Sequence, residues 1–350
     1  MKYLMVSSFP PMKCGIGVYA DQMVKSLVEN GHTCDVLSPM EGGGEFKDNL
    51  SGGFNVLKIL NYSKGYDRIV FQYHESFFYQ GTGGLKNKLS VLETHLSFIF
   101  LFLIFHTRIE VIVHEIPYNH PSRFFYYFER VKWSVCPKVI FHTQKEIDKF
   151  ESVYFHLDNK KYELSQPDRY FKKFCSETKT ESRKNLNLSP LSIIFLCIGF
   201  IQPHKGFDRA LEAFKNTNRR MELYIVGTIR IEYFEYNDYL RNLKKAAEKN
   251  SNTFVIDKYL SDEEFDRWIN ASDVVILPYR EIWSSSVLAR AKLFNKPVIA
   301  CKIGGLEDQI SQNDILFQDD TELAEILADF SSAVEKCERP LCRNHKDRRY

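Results

Sequence analysis

The stretch that decides the fold runs from Ile193 to Gly206, Ile-Ile-Phe-Leu-Cys-Ile-Gly-Phe-Ile-Gln-Pro-His-Lys-Gly, and joins an apolar run to a loop framed by glycines. The apolar run, Ile193–Ile198, predicts a strand, because short apolar runs bounded by turn signals are typical of buried strands. Helical apolar spacing follows in Phe207–Lys215. A strand, a glycine-containing loop and a helix in this order favour an α/β domain.

The same alternation continues through the rest of this half of the chain. Ser261-Asp-Glu-Glu264 matches a capping box, a typical start of a helix. The predicted strands are Glu222–Val226, Thr253–Ile256, Val274–Leu277 and Val298–Ala300, and the predicted helices are Tyr239–Lys249, 262–270 and Ser285–Phe294. A doubly wound parallel sheet is therefore expected, with ligands at the carboxyl ends of its strands.

An equivalent alternation occupies the first half, before a polar stretch at about 165–190. The predicted strands are Tyr3–Ser7, Thr33–Ser38, Ile69–Tyr73, Val111–His114 and Val139–His142, and the predicted helices are Val18–Glu29, Leu85–Phe105 and Ser122–Trp133. We therefore expect two Rossmann-like doubly wound domains facing an interdomain cleft, at 1–170 and 191–335, with a linker at 171–190 and a basic tail at 336–350.

Length and charge agree with two domains and exclude one class of partner. At roughly 150 residues per domain, 350 residues correspond to about two domains. The 47 basic and 45 acidic residues leave a net charge of +2, whereas a nucleic-acid binder needs a basic excess. The tail 336–350 has six basic and two acidic residues, so it holds +4 and the rest of the chain −2. No nucleic-acid partner is expected.

The cysteines and the apolar runs indicate in which compartment the protein works, whether it binds a metal and whether it spans a membrane. Eight cysteines occur without a Cys-x-x-Cys pair, which is typical of reduced thiols in a cytoplasmic protein. Cys337, Cys342 and His345 lack a fourth ligand with zinc-like spacing, so no metal is expected. The apolar run Leu96–Phe105 is ten residues long, against about 20 for a membrane span. It predicts a buried helix or one lying in a bilayer interface.

The loop Pro10–Gly17, after the first strand, contains Gly15 and Gly17. Backbone N–H groups at such a helix start can approach an anion. The dinucleotide pattern Gly-x-Gly-x-x-Gly is incomplete, because Ala20 stands at its third glycine, and the second strand ends in Ser38-Pro39 without an acidic residue. The loop therefore either turns tightly or approaches phosphate or sugar.

The loop Gly199–Gly206 contains Lys205. A lysine held between glycine and proline at the start of a helix is well placed to pair with a phosphate as a point charge. The alternative is an ordinary solvated lysine.

Two further loops follow strands of the second half. Ser284, Ser285 and Ser286 open a helix, where hydroxyls and free N–H groups suit either an anion or simple capping. Gly304 and Gly305 follow the next strand. Together with the two loops above, they predict a phosphorylated or diphosphate ligand.

Six segments occur in a specific order: Gly15-Ile-Gly-Val-Tyr19, Asn30-Gly-His32, Gly199…Pro203-His-Lys-Gly206, Ala271-Ser-Asp-Val-Val-Ile-Leu-Pro-Tyr279, Lys296-Pro-Val-Ile-Ala300 and Gly304-Gly-Leu306. Together they resemble a retaining glycosyltransferase of family 4, with the GT-B fold, over about residues 3–317. The resemblance implies a nucleotide-diphosphate sugar in the second domain and a glycan or lipid-linked acceptor at the first. It implies no metal and no cofactor beyond this co-substrate.

The resemblance also assigns roles to individual residues. Lys205 matches the lysine that binds the donor's diphosphate, and Gly15 and Gly17 match the glycine loop near diphosphate and sugar. His114 matches a histidine that faces the transferred sugar, although a strand-end histidine is often structural. His74 is a lesser candidate. Neither histidine has to act as a base, because in this family the leaving diphosphate is thought to help deprotonate the acceptor.

Two departures from the family pattern concern the donor. Ile282 and Arg290 occupy the positions of two glutamates, the later of which grips the nucleotide ribose. Glu281, one position away, or the neighbouring serines are expected to take part of that role, and Arg290 to pair with a phosphate. Phe200 and Gln202 stand where an arginine commonly accompanies the lysine.

The leading hypothesis is transfer of a hexose, with retention, from a nucleotide-diphosphate sugar to a hydroxyl in cell-envelope polysaccharide biosynthesis. The alternative is a catalytically lapsed subunit of a glycan-assembly complex that keeps the fold. An NAD-linked enzyme is disfavoured by the incomplete glycine pattern. A cytoplasmic protein is expected, with peripheral membrane contact through the apolar helix or the tail.

Overall fold

The structure is a computed structural model that describes residues 1–79, 84–115, 123–156 and 161–343. The chain forms two compact units. The first is Met1–Phe171 and the second begins at Lys172.

Parallel strands form one sheet in the described part of the first unit. The strands are β1 (Lys2–Val6), β2 (Thr33–Ser38), β3 (Phe46–Lys47), β4 (Arg68–Tyr73), β5 (Ile109–Val113), β6 (Val139–Phe141) and β7 (Tyr162–Leu164). Their order is β3-β2-β1-β4-β5-β6-β7, and neighbouring strands are parallel. The order reverses between β1 and β4, and such a switch point is where doubly wound sheets bind ligands.

Helices connect these strands, and the short 3-10 helix Gly53–Lys58 precedes the second of them. The helices are α1 (Gly15–Glu29), α2 (Ile59–Tyr62), α3 (Glu75–Phe78), α4 (Gly84–Ile104), α5 (Arg123–Val135) and α6 (Gln144–Val153). The central strand β4 is buried at five of its six positions, as expected for a parallel sheet covered by helices.

The second unit repeats this design. Its strands are β8 (Ile193–Ile198), β9 (Met221–Gly227), β10 (Thr253–Asp257), β11 (Val274–Leu277), β12 (Val298–Cys301) and β13 (Ile315–Phe317), in the parallel order β10-β9-β8-β11-β12-β13. Its helices are α7 (Lys179–Asn185), α8 (Phe207–Ala213), α9 (Phe234–Ala247), α10 (Asp262–Ala271), α11 (Ser286–Leu293), α12 (Leu306–Gln309) and α13 (Asp320–Arg343). The switch point here lies between β8 and β11.

The prediction of two Rossmann-like doubly wound units is confirmed, and each predicted strand agrees with the observed one within about two residues. The segment 171–190 includes α7, which packs on α10. Arg183 of α7 donates to the carbonyl of Ala271, the last residue of α10, at 3.0 Å and pairs with Asp273, just after that helix, at 2.6 Å. The helix α13 continues to Arg343, into the segment expected to be a tail. The short edge strands β3, β7 and β13 were not predicted, because two or three residues show no pattern of their own.

Candidate functional site

Lys205 is the central residue of the candidate site in the second unit. It ends the short 3-10 helix Pro203–Lys205 in the loop after β8, at the switch point of the sheet. Its Nζ atom lies 4.0 Å from the ring centre of Tyr279, which follows β11. Burial lowers the pKa of Lys205 to about 8. Among the described residues the ammonium has no carboxylate partner, so its charge is available to an anionic ligand.

Close backbone contacts join the loops after β8 and β11. Gly206 has a φ of +63°, and a Cβ atom there would lie 2.0 Å from the carbonyl oxygen of Pro278. Arg280 donates its backbone N–H to the His204 carbonyl at 2.7 Å, and its guanidinium pairs with both oxygens of Asp208. The glycine of the Pro-His-Lys-Gly motif thus stands where a side chain does not fit.

The loop after β12 contacts the loop after β11. Gly304 has a φ of +55°, and a Cβ atom there would lie 1.7 Å from the carbonyl oxygen of Ile282. Gly305 donates its backbone N–H to the carbonyl of Trp283 at 2.9 Å. The loops that the sequence singled out after β8, β11 and β12 therefore form one connected surface at the carboxyl edge of the second sheet.

The structure adds a cation that sequence reasoning missed, Arg230 in the loop after β9. Burial, followed by the charges of Lys205 and Arg230, lowers the pKa of His204 to about 4. Arg230 therefore acts electrostatically on the Lys205 loop. The loops after β8 and β9 meet closely, since a Cβ atom on Gly227 would lie 1.8 Å from the carbonyl oxygen of Gly199. Only the sheet order, which no local motif reveals, makes these loops neighbours.

The three serines have different surroundings. Ser285 is buried and caps α11, because its Oγ accepts the N–H of Leu288 at 3.2 Å. The backbone N–H of Ser285 is donated to Oε1 of Gln309 at 2.8 Å. Ser284 is half-buried and Ser286 is exposed. Ser285 therefore has a structural role here, whereas Ser284 and Ser286 remain candidates for donor contact.

Arg290 does not reach the candidate site as an anion-binding residue, so that expectation is wrong. Its side chain is buried on α11, and its guanidinium bonds to Asp266 at 2.6 and 2.8 Å and to Asp262 at 2.8 Å. Both carboxylates belong to α10, so the arginine joins two helices. Glu281 is exposed in the loop after β11 and remains the carboxylate nearest in sequence to the missing glutamates.

At the carboxyl edge of the first sheet, Gly15 and Gly17 differ in their surroundings. A Cβ atom on Gly17 would lie 3.2 Å from the Ser8 carbonyl oxygen and 3.3 Å from the Phe9 nitrogen, whereas one on Gly15 would meet nothing within 4 Å. The N-cap residue of α1, Cys14, provides no side-chain cap. Gly17 therefore serves packing, and Gly15 leaves the first turn of α1 open to a ligand.

His114 follows β5 at the same edge. Its Nε2 lies 2.6 Å from Oε1 of Gln72, and its ring stands 5.4 Å from the ring of Tyr19. Burial, with a smaller effect from His142 and His74, holds the pKa of His114 well below its usual value. The imidazole is therefore neutral near pH 7, with Nε2–H donating to Gln72 and Nδ1 left as an acceptor.

His142 is a buried histidine near His114 that sequence reasoning missed. It follows β6, and its ring centre lies 5.3 Å from that of His114 and 5.1 Å from that of Tyr19. Nδ1 donates to the Ser165 carbonyl at 2.9 Å, and burial lowers the pKa of His142 to about 4. His142 could have been found from its position at the end of a predicted strand, which is the position that singled out His114.

His74, after β4, completes a row of strand-end histidines. Its Nε2 lies 2.7 Å from Glu115, and its Nδ1 accepts from the Ser76 N–H at 3.2 Å. Burial and the charge of Glu129 raise the pKa of the adjacent Glu75 to about 7. Glu75 is therefore a carboxyl group that can hold or release a proton near neutral pH.

A pocket of about 260 Å³ opens at the carboxyl ends of β1, β2 and β4. Ser7 lines it with a buried Oγ that has no hydrogen-bond partner among the described residues. Its other polar lining includes Ser8, Asn49, Ser51 and Ser76, beside apolar Met12, Leu50 and Phe77. Hydroxyl and amide groups beside apolar faces are the surfaces that recognise one sugar ring or a similar small polar ligand.

Within residues 1–79, 84–115, 123–156 and 161–343, no group of three or more His, Cys, Asp or Glu is arranged to hold a metal ion.

Two Rossmann-like units, with these residues at the carboxyl edges of their sheets, define a protein of the GT-B fold class. The family model of the glycosyl transferases group 1 matches residues 178–344, which lie in the second unit. No curated protein sequence matches the chain.

Solved structures resemble the chain over nearly its whole length. Sucrose-phosphate synthase from Thermosynechococcus elongatus has a TM-score of 0.68 at 16% identity and covers 93% of this chain and 88% of its own. Anabaena HepE in complex with UDP and glucose has a TM-score of 0.67 at 15% identity, covering 97% and 91%. WaaG, a glycosyltransferase involved in lipopolysaccharide biosynthesis, has a TM-score of 0.60 at 14% identity, covering 93% and 89%. At these identities the likeness is one of fold.

Proposed function

We propose that this protein is a retaining glycosyltransferase that moves a hexose from a nucleotide-diphosphate sugar to a hydroxyl of a glycan or lipid-linked acceptor in the cytoplasm. The observation that carries the proposal is the half-buried ammonium of Lys205, which lies against the Tyr279 ring with no carboxylate partner among the described residues. A group 1 glycosyl transferase family match over the same unit supports it.

The donor's diphosphate fits the charge and geometry around Lys205. Burial disfavours the charged form of Lys205, and a bound diphosphate would stabilise that charge. Arg230 in the neighbouring loop adds a second positive charge. Such preorganised charge also stabilises the diphosphate as it leaves. HepE, which shares the fold, holds UDP and glucose, and this supports a nucleotide-sugar donor here.

Retention is proposed from the sequence resemblance to retaining glycosyltransferases. In the reaction the bond from the anomeric carbon to the diphosphate oxygen breaks, the acceptor oxygen bonds to that carbon on the same face, and the acceptor proton passes to the leaving diphosphate. No protein base is required. Neutral His114 can serve as a hydrogen-bonding partner of the transferred sugar, with Nδ1 as its free acceptor.

The acceptor is assigned to the first unit. The pocket lined by Ser7 and Ser76 provides hydroxyl groups at the switch point between β1 and β4, and Glu75 lies beside it on α3. These groups are suited to hydrogen-bonding the hydroxyls of a sugar. We propose that no metal takes part, because Lys205 and N–H groups supply the positive charge that a metal otherwise provides.

The second candidate is a lapsed GT-B subunit, and one observation favours it. Arg290, at the position of the ribose-binding glutamate, is committed to Asp266 and Asp262, so no carboxylate stands at that place. Such a chain would keep the fold without using a donor.

Binding followed by turnover separates the two candidates. Ligand-observed binding is measured with a panel of UDP-, GDP- and dTDP-sugars, and any sugar that binds is then tested for hydrolysis and transfer, with and without EDTA. The proposal expects binding that Lys205→Ala weakens and that Lys215→Ala, at an exposed lysine paired with Glu212, leaves unchanged. Binding of no sugar in the panel, or binding without turnover, supports the lapsed subunit.

A further inference from the structure

Helix α4 of the first unit has an apolar face exposed along its whole length. Six large side chains on it are between 41 and 75% exposed: Leu85, Leu89, Leu96, Phe100, Leu103 and Ile104. Spacings of four, seven, four and three residues place the first five on one side of the helix. At 1.5 Å per residue the face is roughly 30 Å long.

The opposite side of α4 belongs to the core of the unit. Phe98 and Leu101 are fully buried, and His95 bonds through Nε2 to Glu129 of α5 at 3.1 Å. Lys132 of α5 donates to the same carboxylate at 2.7 Å. By length and composition alone α4 could cross a bilayer. These buried polar contacts instead keep it in the fold, with only its outer face free.

Helix α5 packs beside α4 and extends the exposed face with Phe124 and Tyr127. In the described parts of both helices, the exposed charged side chains are all basic: Lys86, Lys88, Arg123 and Arg130. Glu93 is half-buried against Gly53, and Glu129 is buried. The surface is therefore apolar along its length and positively charged at its margins.

We propose that this face of α4 and α5 binds the surface of an anionic lipid bilayer. Its apolar side chains enter the interface and its lysines and arginines meet the headgroups. Contiguous exposed apolar surface of this extent marks an interaction site. A helix with basic margins and leucine or phenylalanine on its outer face is the pattern that lies in a bilayer interface. The proposal concerns binding alone and does not depend on sugar transfer.

Lys86 and Lys88 lie near the amino-terminal end of α4, and Arg123 lies at that of α5. Their position relates this surface to the acceptor pocket. In a strand-helix-strand crossover, the start of each helix lies at the carboxyl edge of the sheet. That edge of the first unit holds the pocket lined by Ser7 and Ser76. A bilayer bound at this face therefore lies along the unit that is proposed to present a lipid-linked acceptor.

Co-sedimentation of the full chain with vesicles tests the proposal, with vesicles of phosphatidylcholine alone and of phosphatidylcholine with about one-third phosphatidylglycerol. One variant combines Leu89→Glu, Leu96→Glu and Leu103→Glu, and a second combines Lys86→Glu and Lys88→Glu. The matched control is Leu191→Glu, since Leu191 is 72% exposed in the second unit. Melting temperatures verify that each variant is folded.

The expected result is binding to the anionic vesicles that falls at least about tenfold in the leucine variant and becomes weaker in the lysine variant, while the control binds normally. Wild-type protein that stays in the supernatant overturns the proposal, as does a folded leucine variant that binds like the wild type. A wild-type dimer that ignores vesicles and that the leucine variant converts to monomer also overturns it, because the face then serves a second copy. UDP binding, measured separately, reports on the proposed function without affecting this outcome.

Discussion

The Nζ atom of Lys205 lies 4.0 Å from the centre of the Tyr279 ring, across the switch point between β8 and β11. The ring face is negative and supports the ammonium, yet it cannot replace the hydration that burial removes. An anion brought to this lysine therefore recovers energy that the free protein lacks. This contact is the physical basis of the proposed donor site.

The first prediction concerns the charge itself. Lys205→Ala is expected to weaken UDP binding at least about tenfold, because a partly desolvated pairing with phosphate is lost. The melting temperature should stay within a few degrees of the wild type, since burial already disfavours the charged lysine. Calorimetric titration with UDP measures the affinity, with Lys215→Ala as the control. Unchanged affinity in Lys205→Ala would refute a diphosphate at this site.

The second prediction follows from the lowered pKa of Lys205, about 8. Below this pH the free protein offers an ammonium to the diphosphate, and above it the amine is mostly neutral. UDP affinity is therefore expected to fall as pH rises past about 8, by up to about tenfold per pH unit. Affinity measured from pH 6.5 to 9.5 tests this. Lys205→Arg keeps its charge throughout, so its profile should be flat.

The third prediction separates Gly15 from Gly17. Gly15→Ala places its methyl group in open space, so the melting temperature should be kept. UDP-sugar turnover should fall, because the methyl group occupies the space proposed for the donor. Gly17→Ala presses against the backbone of Ser8 and Phe9 and should lower the melting temperature. Thermal unfolding and initial rates are measured for both variants. Full activity in Gly15→Ala would argue that no ligand approaches this turn.

The fourth prediction concerns Arg290. Arg290→Met leaves Asp266 buried without its partner and is expected to lower the free energy of unfolding by about 3–5 kcal/mol. Lys215→Met, which breaks an exposed pair, should change it by less than about 1 kcal/mol. Urea unfolding measures both. A stable Arg290→Met variant with weakened UDP binding would restore the role that the structure denies to this residue.

The fifth prediction concerns stability at low pH. The pKa of His142 is about 4 in the folded chain and ordinarily 6.5, so the unfolded chain binds more protons between these values. Stability should therefore fall as pH drops through this window, by up to about 3 kcal/mol from this residue. Urea unfolding at several pH values tests it. His142→Gln should remove about one proton from the slope, and an unchanged slope would contradict the assignment.

Much of the fold could be predicted from the sequence, because apolar strands and helical spacing are local signals. The strand Ile193–Ile198 and its loop illustrate this, since strand, turn and helix each leave a pattern within a few residues. The helix α13 was missed although its apolar spacing is clear. The strands β3 and β13 are too short to show a pattern and exist because a neighbouring strand offers its edge.

Candidate-site residues could be predicted where a local motif identifies them. They could not be predicted where their role depends on contacts with residues distant in the sequence. Lys205 could be singled out by its glycine-framed loop, but its contact with Tyr279 joins loops 74 positions apart. Arg290 was misjudged for the same reason: an arginine near an anion-binding loop suggests a phosphate, whereas two aspartates on α10 neutralise it. Arg230 and His142 depend on the order of strands, which no motif encodes.

The pairing of Arg290 with Asp266 and Asp262 limits how this chain can change. Replacing Arg290 by glutamate, the residue that the sequence resemblance implies at this position, would bring a third carboxylate beside Asp266 and Asp262, so that single step is expected to be harmful. That replacement is expected to be tolerated only after both aspartates have been replaced by neutral residues. The effect of a substitution at any one of these three positions therefore depends on the residues at the other two. Arg290 is constrained by its ion pairs with α10 and not by a role in the reaction.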